Sequence, residues 1–215
     1  MYKKKPLFIT FEGIEGSGKS FQSKKLYKNL KRKKIPALLT REPGGTDSAE
    51  KIRDLILEDY FHPNSKEKFN KYTDTLLYLA SRNEHVINKI KPAILKRKIV
   101  ICDRFIDSTM AYQVYGKNVN KNFVSDIHKH ILKGLKPDIT FLLTVDISKA
   151  LSRLKKRKKK NRYDKFSKTF YLTVQRAFIK ISQKNKRRYV IFDNTQDSDI
   201  IEKLILKKIL LKLKK

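Results

Sequence analysis

Residues 7–20, LFITFEGIEGSGKS, constrain the chain more than any other stretch. The apolar, β-branched run Leu7 to Phe11 leads into Gly13, Gly16 and Gly18 and then Lys19-Ser20, and every specified position of the G-x-x-x-x-G-K-[ST] phosphate-binding loop is met. A buried strand that stops at glycines can turn sharply. The missing Cβ atoms then let backbone N–H groups, those around Ser17 included, converge on phosphate oxygens. Residues 19–31 read as a helix whose positive end faces the same phosphates. The motif therefore predicts Lys19 reaching the β- and γ-phosphates and the Ser20 hydroxyl holding Mg²⁺.

Further strand-length apolar runs follow at Ile35 to Leu39, Ile99 to Cys102, Ile139 to Val145 and Tyr189 to Phe192. Helix-spaced segments separate them at 48–58, 68–95 (with Pro92 kinking or restarting the helix), 107–115, 121–133, 148–157, 167–184 and 198 to the end. Loops fall at Thr40 to Thr46 and Phe61 to Ser65, and Lys136-Pro137-Asp138 breaks the chain before the fourth strand. Strand and helix in alternation imply a three-layer α/β fold, a parallel sheet of about five strands with helices on both faces. At 215 residues and 40% hydrophobic content, one domain spanning 1–215 can bury a sizeable core. Parallel strands bind ligands at their carboxyl ends, so Asp103 and Arg104, directly after the third strand, should face the crevice of the phosphate loop.

The formal charge is 52 minus 21, or +31, which would ordinarily point to nucleic acid. The lysines are spread along the whole chain, and no nucleic-acid module is recognisable, so a general lysine bias is the simpler reading. Attraction to polyanions at low salt is still expected. No apolar run is long enough to span a bilayer, and the basic start MYKKKP precedes the loop strand and no signal-peptide core. These features predict a cytoplasmic protein without a membrane partner, and the single Cys102 fits a chain with no disulfide framework. His62, His85, His128 and His130 show no zinc-ligand spacing and read as structural.

Beyond the loop, TREPGGT (40–46), AEKIR (49–53), LLYLASR (76–82), DRFIDSTMAYQ (103–113) and KPDITFLL (136–143) carry the discriminating signal. Through these segments the sequence closely resembles the thymidylate kinases, over almost its full length; adenylate, guanylate and shikimate kinases share only the loop. The resemblance implies a P-loop nucleoside monophosphate kinase fold with a lid near 153–165, ATP and dTMP as substrates, Mg²⁺ as cofactor, a place in dTTP biosynthesis and a homodimer. It implies that Arg104 and Arg53 grip the dTMP phosphate, with Arg41 and the Glu42-Pro43-Gly44 loop closing over it. Tyr78, where the family usually has Phe, would stack on thymine, and Arg82, four residues on, would meet its O4. Thr109 and Gln113 would lie near the base edge, and Tyr112 against C2′ of the sugar, excluding a ribose hydroxyl. Glu15 matches an acidic residue near the sugar 3′-hydroxyl and the metal.

Where that loop position is acidic, the family carries its transition-state arginine in the lid. Arg157 is favoured here, with Arg162 next and Arg153 nearer the adenine. KKRKKKNR can also be read as a solvated basic run, a localisation signal or a nucleic-acid patch, but its position between a strand-helix unit and the next long helix favours the lid. Asp103 is expected to organise Mg²⁺-bound water rather than to act as a base. Thr144 stands where the family commonly has Asp, with Asp146 two residues on. Alternatives are another nucleoside or deoxynucleoside monophosphate kinase, or a nucleic-acid-binding P-loop NTPase.

Overall fold

The computed structural model describes residues 6–57, 68–157, 161–196 and 199–214. The expected loop at Phe61 to Ser65, His62 and the lysines at 158–160 lie outside them.

Five strands, β1 (Phe8–Glu12), β2 (Ala37–Arg41), β3 (Ile99–Asp103), β4 (Ile139–Thr144) and β5 (Tyr189–Asp193), form one sheet in the order β2-β3-β1-β4-β5. All four pairings are parallel, with Phe11 opposite Asp103 on one side and Phe141 on the other. The continuous apolar runs follow from this arrangement, because the central strands are covered on both faces. On one face Ile9, Phe11, Ile101, Phe141 and Leu143 pack against Leu26 and Leu30 of α1 (Lys19–Arg32) and Ile205 and Ile209 of α9 (Asp199–Lys214). The other face is covered in two patches. Phe8, Val100 and Cys102 meet Val86, Ile90 and Phe105, while Leu142 meets α7 (Ile147–Lys155) and α8 (Lys168–Lys184) through Ala150, Val174 and Phe178.

The long helix expected over 68–95 is continuous but not uniform. It runs as α3 (Lys71–His85), a π-helical turn (Val86–Ile90) and α4 (Lys91–Leu95). Pro92 lies in the first turn of α4. Having no N–H, it cannot close an ordinary ladder bond, and the wide turn before it absorbs the mismatch. The helix expected over 107–115 is likewise a short α5 (Ile106–Thr109) passing into a π-helical stretch (Met110–Gly116). Among the described residues, α2 (Asp47–Leu57) and α6 (Lys121–Leu132) are the remaining α-helices, and Arg162–Lys165 forms a single 3-10 turn.

Candidate active site

Glycine is required by geometry at both ends of the loop. A Cβ on Gly13 would lie 2.3 Å from the Leu143 carbonyl oxygen, and one on Gly18 2.2 Å from Asn194 Nδ2; both residues have positive φ. Asn194 donates from Nδ2 to the Ser17 carbonyl at 2.8 Å, so the loop is pinned from β5's end of the sheet. No side chain caps α1, leaving its N-terminal end to an anion. Lys19 Nζ lies inside the loop, 2.5 Å from the Ile14 carbonyl and 3.3 Å from Ser17 Oγ. Burial, with the Arg104 guanidinium nearby, pushes the Lys19 ammonium down to about 7.

Asp103 ends β3 beside the loop, and the Ser20 hydroxyl donates to its Oδ2. Its Oδ1 is buried and accepts no hydrogen bond. Two hard oxygens, one of them an orphan, suit Mg²⁺. The next residue, Arg104, has φ 71, an uncommon conformation for a residue with a side chain. Two bonds hold it there: its own N–H donates to Phe11 O at 2.9 Å, and Phe105 N–H donates to Glu12 Oε1 at 2.8 Å. The Arg104 guanidinium is thereby turned onto the loop. It donates to Gly13 O and Ser108 Oγ, both at 3.0 Å, and to Glu15 Oε1 at 2.7 Å, and lies 5.0 Å from the Tyr112 ring centroid.

Ser108 also donates to Glu12 Oε2 at 2.6 Å. Glu12 is thus the hub that ties the loop's first residues to the Arg104 turn. Burial, reinforced by the Asp107 carboxylate, pushes its carboxyl up to about 8. Nothing in the sequence singles out Glu12, because a strand-end glutamate has no spacing signature. Glu15 keeps a lowered pKa despite burial, because Arg104 and Lys19 flank it. The Tyr112 hydroxyl donates to its Oε2.

These groups line a cavity of about 350 Å³. Its walls include Glu15, Lys19, Ser20 and Asp103 at the loop, together with Tyr78, Thr109, Tyr112 and Gln113. Arg41, Pro43 and Arg53 also border it, with Arg41 paired to Glu50 at 2.7 Å and Arg53 Nη1 donating to the Pro43 carbonyl at 2.6 Å. Gln113 is buried with Nε2 unpaired.

Arg82 borders the cavity but is engaged within the protein. Its N–H groups meet Glu42 Oε2, Thr109 Oγ1, His128 Nε2 and the Phe105 carbonyl at 2.7 to 3.0 Å. A base carbonyl would have to share one of these donors. Glu42 and His85 lie near Cys102, all three buried. Both Glu42 oxygens are nonetheless bonded, to Arg82 and His85, and His85 Nε2 meets Thr40 Oγ1 at 2.6 Å. The cluster is a structural network rather than a ligand set.

Of the lid arginines, Arg153 and Arg157 border the cavity. Arg153 donates to Gly16 O at 2.8 Å and to the Asn194 and Thr195 carbonyls, stapling the phosphate loop to the loop after β5. Arg162, expected on the ATP side, is directed elsewhere: its guanidinium pairs with Asp74 on α3, and it does not line the cavity. Asp146 caps α7 through Lys149 N–H at 3.0 Å, while Thr144 Oγ1 donates to Phe192 O at 3.3 Å.

The family profile described as thymidylate kinase matches residues 11–205. A thymidylate kinase of Acholeplasma laidlawii is 41% identical over 209 residues, covering 96% of this chain and all of that protein. One of a Wolbachia endosymbiont of Culex pipiens is 43% identical over 195 residues, covering 90% of this chain and 89% of its own. Among solved structures, the Ehrlichia chaffeensis thymidylate kinase superposes with a TM-score of 0.74 at 32% identity, covering 96% and 99% of the two chains.

Proposed function

The chain belongs to the thymidylate kinase family, and on that premise we propose how this cavity transfers a phosphoryl group from ATP to dTMP. The carrying observation is that Arg104 and Lys19 line one cavity together, Arg104 reaching Gly13 O and Glu15 while Lys19 lies within the loop itself. Phosphoryl transfer asks a protein chiefly to align donor and acceptor and to neutralise charge between them.

In this reading, the loop from Gly13 to Ser20 cradles ATP, with Lys19 on the β- and γ-phosphates. Arg104, Arg53 and Arg41 hold the acceptor phosphate, a group that needs no activating base because it is already anionic. Tyr78 faces the base, with Arg82, Thr109 and Gln113 along its edge. Tyr112 packs the deoxyribose, and Glu15 meets its 3′ side. Arg157 reaches the transferring group, and Arg153 acts on the adenine side. Ser20 and Asp103 would hold Mg²⁺, which when bound supplies charge neutralisation across the phosphates.

A coupled ADP-release assay across dTMP, dUMP, UMP, CMP, AMP and GMP tests the reading. dTMP is expected to lead in kcat/KM. dUMP should exceed UMP by about tenfold or more, the scale on which a pocket rejects one added group. A flat profile overturns the base and sugar assignments, and acceptor-free phosphate release stimulated by DNA or RNA would favour a nucleic-acid-dependent NTPase.

No described helix is long and apolar enough to cross a membrane, and the proposal includes a cytoplasmic site of action. It also includes a homodimer, for which Leu55 of α2 and Tyr72, Leu76 and Ile87 along α3 and its π turn supply exposed apolar surface. Light scattering at micromolar concentration should give twice the chain's 25.4 kDa, and a monomer mass removes that part.

A further inference from the structure

Asp74 and Tyr78 are four residues apart on α3 and so share one face of the helix. Asp74 is 1% exposed. A carboxylate so enclosed is costly unless paired, and its partners come from two other segments. Lys117 Nζ lies 2.7 Å from Oδ2, and the Arg162 guanidinium of the lid pairs with Oδ1. One turn along, the Tyr78 hydroxyl donates to that of Tyr163, the two rings meeting edge to face with centroids 6.4 Å apart. Tyr163 is buried, lies edge-on to Tyr112 at 5.7 Å and has Lys117 Nζ 5.8 Å from its ring centroid. The short helical turn Arg162–Lys165 is therefore fastened to α3 at two points, one ionic and one aromatic. Asp74 does not line the cavity that holds the phosphate loop.

We propose that Asp74 is a positioning residue that clamps the lid onto the acceptor side of the cavity through Arg162, so that acceptor binding and lid closure are coupled. This rests on the reading of Tyr78 as the wall facing the acceptor base. dTMP against Tyr78 steadies the aromatic point of attachment, and Asp74 supplies the ionic one. Without the carboxylate, Lys117 and Arg162 confront each other as like charges and drive the lid open.

Limited trypsin digestion reads the lid directly, because Arg153, Lys155, Lys156, Arg157 and Arg162 are cleavage sites within it. In the wild type, dTMP alone should slow cleavage there. Asp74→Asn should remove that protection, with cleavage at least about fivefold faster in saturating dTMP, since proteolysis follows the open population. Because lid protection and acceptor affinity are linked, calorimetric dTMP affinity should fall by about the factor of protection lost and no further, since the direct acceptor contacts are intact. Arg162→Gln should behave alike, and the double variant should be no worse than Asp74→Asn, the non-additivity expected of one broken pair. Protection retained in Asp74→Asn, or additive losses in the double variant, overturns the clamp. If Asp74→Asn fails to fold, the surface-side Arg162→Gln decides alone by the same readout. A wild type that binds dTMP with an unprotected lid rejects only the clamp, whereas one that binds no dTMP rejects the acceptor reading and the clamp with it.

Discussion

Lys19→Ala should lower kcat by about a thousandfold, the upper end for removal of one preorganised charge-stabilising group and equivalent to about 4 kcal/mol of transition-state stabilisation. The expectation follows from where the ammonium sits. It is held inside the loop by the Ile14 carbonyl and Ser17 Oγ, with only 5% of the residue exposed. It needs no reorganisation to meet phosphate oxygens. Burial depresses its pKa, Arg104 adds to that, and Asp103 and Glu15 oppose it only in part. A polyphosphate supplies the missing counter-charge, so the interaction grows as negative charge builds on the transferring group. Apart from Glu15, the proposed acceptor contacts lie outside the loop, at the ends of β2 and β3, on α2 and α3 and in the helix after Arg104, so dTMP affinity measured calorimetrically should change by less than about threefold. A kcat within tenfold of wild type would remove Lys19 from the transfer step. Loss of dTMP binding together with a collapsed melting temperature would mean that the residue holds the loop rather than the phosphate.

The parts of the site that could be read in advance are those whose chemistry dictates spacing. Phosphate cradling demands glycines at set offsets, and the structure shows why, with Leu143 O and Asn194 Nδ2 occupying the space that Cβ atoms on Gly13 and Gly18 would take. The central strands β1, β3 and β4, buried on both faces, must be apolar throughout, and all five runs are strands in the sheet, with the edge strands β2 and β5 only partly covered. Asp103-Arg104 then falls at a carboxyl end by topology alone. What escaped was side-chain commitment. Arg82 and Arg162 look like free cations in a sequence, yet each is paired with a buried carboxylate, Glu42 and Asp74, from segments 40 and 88 residues away. No local pattern records such partners. The π turns are hidden for the opposite reason: apolar spacing near 3.6 hardly changes when one residue is inserted, so only Pro92 marks either of them.

Arg104→Ala should raise the dTMP KM by about a hundredfold, while the ATP KM shifts by less than about threefold. The size follows from charge-assisted hydrogen bonds at roughly 1.5 to 3 kcal/mol each: one such bond lost to a phosphate accounts for a hundredfold, or about 2.7 kcal/mol. The plane of the guanidinium is already set by Gly13 O, Ser108 and the Tyr112 ring, and since both its Nη groups are engaged, an acceptor phosphate takes over or shares one of these donors. For the same reason Arg104→Lys should recover little. A lysine carries the charge but not the planar fork, and it cannot keep Gly13, Ser108 and Glu15 engaged together. The variant also leaves Glu15, only 11% exposed in its side chain, with Lys19 as its remaining cation. Steady-state kinetics with each substrate varied in turn separates the possibilities. An unchanged dTMP KM would detach Arg104 from the acceptor phosphate. An equal rise in both KM values would show that the residue braces the phosphate loop, through Gly13, rather than gripping the nucleotide beyond it.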